Sequence, residues 1–93
     1  MLSQSPIDLE NVPQEQIDKE ILRLGMIAEL DAINLYEQLA TKSKNKKIQS
    51  ILLDIAKEEK THVGEFQALL LELDKEQVEE LEKGKKEVDG LSK

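Results

Sequence analysis

From Ile17 to Ala40 apolar residues return at helical intervals along two adjacent stripes. One stripe holds Ile17, Ile21, Leu24, Ala28 and Leu35. The other runs Leu22, Met26, Glu29, Ile33, Tyr36, Ala40, at spacings of 4, 3, 4, 3 and 4. That rhythm keeps side chains on one side of a 3.6-residue turn and predicts an amphipathic helix. Asn11 and Pro13 mark its start, since proline is tolerated in a first helical turn, and it ends near Thr41. The polar, basic stretch TKSKNKK at 41–47 is a turn, with Ser43 the expected N-cap of the next helix. That second helix is predicted from about Lys44 to Leu73. Its seam reads Ile48, Leu52, Ile55, Glu59, His62, Phe66, Leu69, Leu73, a heptad-type rhythm of 4, 3, 4, 3, 4, 3, 4. Asp74 followed by Gln77 has the form of a capping box and opens a shorter third helix, reaching Gly84 or a few residues past it. Residues 1–10 read as a loose arm and 85–93 as a frayed tail, which leaves 11–84 as the helical domain. Neither an internal repeat nor a strand pattern is present.

Two helices of roughly 28 to 30 residues span about 40 Å each at 1.5 Å per residue. Each carries more than one apolar stripe, and a lone hairpin cannot cover both. The expected fold is therefore all-α: an antiparallel two-helix hairpin plus a short C-terminal helix, dimerising into a four-helix bundle.

Composition narrows the function. Ninety-three residues make one small domain with a limited core of its own. Phe66 and Tyr36 are the only aromatics, so no platform exists for stacking bases. The net charge of −7 opposes nucleic acid and anionic membranes and favours cations. No cysteine is present, which removes disulfides and thiolate metal sites. No apolar run approaches the 18 residues a membrane span needs. The N-terminus lacks the layout of a signal peptide, so the default expectation is cytoplasmic.

Against this background three polar residues stand out. Glu59 and His62 take the two middle places of the second helix's seam, while Glu58, Lys60 and Glu65 fall off it. Glu29 interrupts an apolar stripe on the first helix. Buried carboxylates cost several kcal/mol each without compensation, and a metal ion compensates them. Each residue alone has a plainer reading: a lone helical histidine is most often a satisfied or surface group, Glu-x-x-His is short, and Glu29 alone could face solvent. The conjunction favours a site. One chain supplies too few ligands for a metal pair. Two chains supply a glutamate from each of two helices and a Glu-x-x-His from each of the other two, the ligand set of di-iron carboxylate bundles. Four carboxylates also balance two divalent ions. Mixed carboxylate and imidazole donors suit iron or manganese. Asp31 reads as rim or entrance, Tyr36 as a packing residue or a neighbour of the site, and Gly25 as a place where another helix can approach closely. Lys83, Lys85 and Lys86 read as solvated.

The segments IAELDAINLYEQ and EEKTHVGEF together resemble the encapsulated ferritins, half-length ferritin-like proteins that work inside encapsulin shells. The likeness covers about residues 17 to 90 and is greatest to archaeal forms fused in front of the shell protein. It implies a ferroxidase that oxidises Fe(II) with O2 at a di-iron centre shared across a dimer interface, for storage inside the encapsulin nanocompartment. By the same resemblance Glu29, Glu59 and His62 are the metal ligands, Tyr36 stands near the site, and five dimers form an annular decamer. Some family members carry an acidic pair near the iron entrance and a tryptophan at its edge. Here those places hold Ala28, Asp31 and Leu35. The ending DGLSK is a poor match to the apolar shell-targeting peptide of free-standing members, and both a fusion domain and a free-standing cargo stay open.

In the mechanism so implied, Glu59 of each chain bridges two irons, and Glu29 and His62 complete each iron's shell. His62 must be neutral to bind, so occupancy should fall in acid. Two rival readings remain: a di-iron peroxidase of the rubrerythrin kind, and a metal-free structural helical oligomer.

Overall fold

The computed structural model describes residues 9–91. A short 3-10 turn, Leu9–Asn11, leads into α1 (Gln14–Lys42), α2 (Lys46–Leu73) and α3 (Lys75–Gly90). Most of the expected N-terminal arm lies outside the described residues. Pro13 takes the position just before the first turn of α1, with φ −55° and ψ 139°. Its missing N–H is one that a helix start leaves unbonded in any case.

The tight turn between α1 and α2 corrects one expectation. Asn45, not Ser43, caps α2. Its Oδ1 accepts from the N–H groups of Lys47 at 2.9 Å and Ile48 at 3.2 Å. One short side-chain carbonyl thus satisfies two of the donors that a helix start leaves free. Ser43 closes α1 instead. Its N–H donates to Leu39 O, and its hydroxyl accepts from Asn45 N–H at 3.1 Å.

α1 and α2 pack side by side over most of their length. The buried side chains are Ile33 and Ala40 from α1 and Ala56 and Leu70 from α2. The stripe of α2 turned to α1 runs Leu52, Ala56, Glu59, Val63, Phe66 and Leu70, all buried or half-buried. It is therefore rotated slightly from the seam read in the sequence, whose ends Ile48, Leu69 and Leu73 remain about half exposed. Gly25 and Phe66 meet in close contact between the two helices. A Cβ added at Gly25 would stand 2.9 Å from Cε1 and Cζ of the Phe66 ring.

A single residue, Asp74, separates α2 from α3. Its Oδ1 accepts from Gln77 N–H at 3.0 Å, which fulfils the capping expectation, and its Oδ2 pairs with Arg23 of α1 at 3.0 Å. One carboxylate thus starts α3 and ties the corner back to the hairpin. α3 projects sideways, giving the chain extents of 47 × 46 × 22 Å. It continues to Gly90, beyond Gly84 and into the stretch read from the sequence as a frayed tail. No proline stops it, and an i,i+4 pair, Lys85 to Asp89 at 3.0 Å, lies on its last turns. Arg23, Met26, Leu30, Leu70, Gln77 and Leu81 line much of a shallow cleft of about 370 Å³ where the three helices meet.

The chain alone is an open object. Its Cα radius of gyration is 16.7 Å, against about 12 Å for a compact domain of this length. Its accessible surface is 7600 Å², against about 5,500 Å² for a compact monomer of this mass. Large apolar side chains contribute to it. Ile21, Leu30, Leu35, Ile51, Leu53 and Leu81 are each more than two-fifths exposed.

Candidate metal centre

Near the middle of the hairpin the two helices bring three ligating side chains together. Glu29 comes from α1, and Glu59 and His62 come from α2, where the i,i+3 spacing puts them on one face. His62 Nδ1 lies 3.3 Å from Glu59 Oε2 and 3.4 Å from Glu29 Oε2. Both carboxylates are mostly covered, with side-chain exposures of 20% for Glu29 and 19% for Glu59. His62 is 44% exposed, so the cluster is walled by the hairpin and open on its imidazole side.

The donor chemistry favours a cation. An ionised carboxylate only accepts, and here two carboxylates converge on a single imidazole nitrogen at the long distances of 3.3 and 3.4 Å. Two like charges sharing a half-dry position repel. A divalent ion removes both problems. The three donor atoms lie within 4.8 Å of one another. Donors bound to one ion at about 2.1 Å lie at most about 4.2 Å apart. Small side-chain rotations therefore close the set on an ion. Among the described residues, this is the one group of His, Cys, Asp and Glu side chains with that convergence.

The remaining residues singled out in the sequence fall around this cluster. Tyr36 is half-buried on α1, seven residues past Glu29 and so about 10 Å further along the axis. Asp31 is half-buried and turned about 200° around α1 from Glu29, hence on another face. Ala28 and Leu35 are exposed. One neighbour was not legible in the sequence. Lys60, adjacent to Glu59, reaches to Glu37 on α1 at 3.1 Å. Both residues are off the apolar stripes, and no spacing pairs them.

A long two-helix hairpin with a carboxylate–imidazole cluster at mid-height is a ferritin-like helical domain. Comparison with known proteins makes the assignment specific. The rubrerythrin family model matches residues 20–91. The crystal structure of the encapsulated ferritin domain from Pyrococcus furiosus superposes with a TM-score of 0.83 at 53% identity, covering 98% of this chain and 93% of that one. The ferritin-like–encapsulin shell fusion protein of Pyrococcus furiosus is 64% identical over 73 residues, 78% of this chain and 21% of that protein. The encapsulin nanocompartment cargo protein EncC of Myxococcus xanthus is 39% identical over 69 residues, 71% of this chain and 53% of that protein. The chain thus spans about a fifth and about half of the lengths of these two relatives. It belongs to the rubrerythrin family and, within it, to the encapsulated ferritins.

Proposed function

We propose that this domain is a ferroxidase that takes Fe(II) as substrate at a centre completed by a second copy of the chain, and that it works inside an encapsulin nanocompartment. The observation that carries the reading is the convergence of Glu29, Glu59 and His62 on one point, open on the His62 side. The large uncovered apolar surface supports the second copy. Its relatives, a shell fusion protein and a nanocompartment cargo protein, support the location.

Each residue has a role in this scheme. Glu29, Glu59 and His62 of each copy would hold the iron, Glu59 as the carboxylate shared between the two copies' sites and Glu29 with His62 completing each. Four carboxylates then balance two Fe(II). Two Fe(II) give up two electrons to O2, which with two protons becomes hydrogen peroxide, and the two Fe(III) leave toward mineral. His62 must offer a nitrogen lone pair, so protons compete with iron for it. The half-dry hairpin wall strengthens every charge interaction at the site relative to water. Tyr36, two turns away on the same stripe, is a neighbour of the centre rather than a ligand.

Oxygen consumption with Fe(II) tests this. The parent chain should oxidise iron rapidly, and His62→Ala or Glu59→Ala should reduce the rate to that of free iron while keeping helical content. Parent-level oxidation by either variant contradicts the assignment. The rubrerythrin match gives weight to a second reading, a di-iron peroxidase. Preferential consumption of hydrogen peroxide over dioxygen would select it.

A further inference from the structure

We infer that Gly25 and Phe66 are positioning residues that set the separation of α1 and α2 at the metal centre; the inference rests on the centre proposed above. Gly25 is one turn before Glu29 on α1, and Phe66 is one turn after His62 on α2. The contact between them therefore lies one turn from the cluster on both helices, about 6 Å along the axis. It leaves no room for a side chain on α1 at this position. A Cβ at Gly25 would meet Cε1 and Cζ of Phe66 at 2.9 Å and Cδ1 at 3.1 Å, closer than carbon atoms pack without movement. The ring lies against bare backbone, and helical side chains lean toward the N-terminus of their own helix. Phe66 thus leans toward the His62 turn.

The geometry of the cluster depends on this spacing. Glu29 reaches His62 across the interhelical gap at 3.4 Å, whereas Glu59 and His62 share a helix and keep their relation whatever α1 does. Pushing α1 outward by a few tenths of an ångström at Gly25 moves Glu29 and leaves the Glu59–His62 pair in place. A methyl at Gly25 should therefore weaken the ligand set selectively. It should do little to the helix itself, because alanine is the better helix former.

Binding of Co(II) alone, followed by its visible absorption at neutral pH, gives a readout independent of turnover. Four chains complete the cycle: parent, Gly25→Ala, Phe66→Leu and the double variant. Gly25→Ala should lower Co(II) affinity about tenfold or more, as displaced supporting groups at metal sites do, and shift the absorption band while melting near the parent. In the Phe66→Leu background, where the ring edge is gone, the same glycine change should alter affinity less than threefold. That second comparison carries the test if Gly25→Ala alone fails to fold. Equal affinity of Gly25→Ala and parent would overturn the inference, as would a tenfold loss that persists without the ring. His62→Ala is the control for the centre. If it binds Co(II) as the parent does, the site reading itself falls and the positioning role with it. If it abolishes binding while the cycle shows no coupling, only the positioning role falls.

Discussion

His62 and Glu29, thirty-three positions apart in sequence and on different helices, face each other at 3.4 Å across the middle of the hairpin. Glu59 joins them at 3.3 Å from the same imidazole nitrogen. Two acids and one base share a point that the chain covers on one side only. The arrangement explains why helix faces otherwise built for packing carry polar groups there. In the proposed function the hairpin supplies half of a ligand set, and a second copy would supply the other half.

The first consequence concerns the metal-free protein. Glu29 and Glu59 repel each other when both are ionised, and they share a single imidazole nitrogen between them. Glu59→Gln keeps the shape and removes one charge. Apo Glu59→Gln should melt at or above the parent temperature, while its affinity for Co(II) or Fe(II) falls by at least about tenfold. Thermal melts with and without metal measure both effects. A variant less stable than parent without metal would show that Glu59 has a structural partner.

The Asp74 corner predicts an acid response. The Gln77 N–H bond is the main cause that lowers the Asp74 carboxyl below its ordinary value, with Lys19 and Arg23 adding to it against the opposing effect of burial. A depressed folded-state value means that its stabilisation is present above the ordinary aspartate range. It is lost as pH falls through the still lower folded-state value. Asp74→Ala should lower the melting temperature at neutral pH, and the gap to the parent should close in strong acid. Melting curves across pH check this. A gap that stays constant into strong acid would contradict it.

How much of this is legible in the sequence depends on the element. The hairpin and its turn follow from periodicity, and the α3 cap follows from Asp74 and Gln77, because both rest on short-range chemistry. The α2 seam in the sequence lies slightly off the true inner face. Ile48, Leu69 and Leu73 dominate the pattern by size, whereas the inner positions include the small Ala56, which fits where helices approach closely. The same holds for Ser43 and Asn45: both are good caps, and only the backbone path decides between them. Helix α3 runs past Gly84 because a glycine without a left-handed backbone or a following proline does not stop a helix. Glu29, Glu59 and His62 are legible because polar residues on apolar stripes need a reason. The Arg23–Asp74 and Lys60–Glu37 pairs are not, since charges off the apolar stripes carry no periodicity.

Gly84 offers a simple gain. It lies inside α3, and nothing stands within 4 Å of a Cβ placed there. Gly84→Ala should stabilise the chain by up to about 1 kcal/mol through helix propensity alone. Denaturant melts measure it, and a loss of stability would reveal a neighbour at that position in the assembled protein.

Storage should be poor without a shell. The chain's cleft, at about 370 Å³, has no room for mineral. Under heavy iron loading the isolated domain should oxidise iron and then precipitate it. Light scattering with total-iron analysis checks this, and soluble particles carrying hundreds of irons per oligomer would contradict it.

Native mass spectrometry of the apo chain, with and without Fe(II), tests the shared centre most directly. Iron that binds the assembled state and scarcely the free chain favours assembly by mass action. Adding Fe(II) should therefore shift monomer toward dimer and larger even-numbered species. Saturation should come at one iron per chain, and the shift should vanish in His62→Ala. Tight iron binding by the monomer, or a distribution of species indifferent to both iron and His62→Ala, would contradict a centre built from two copies.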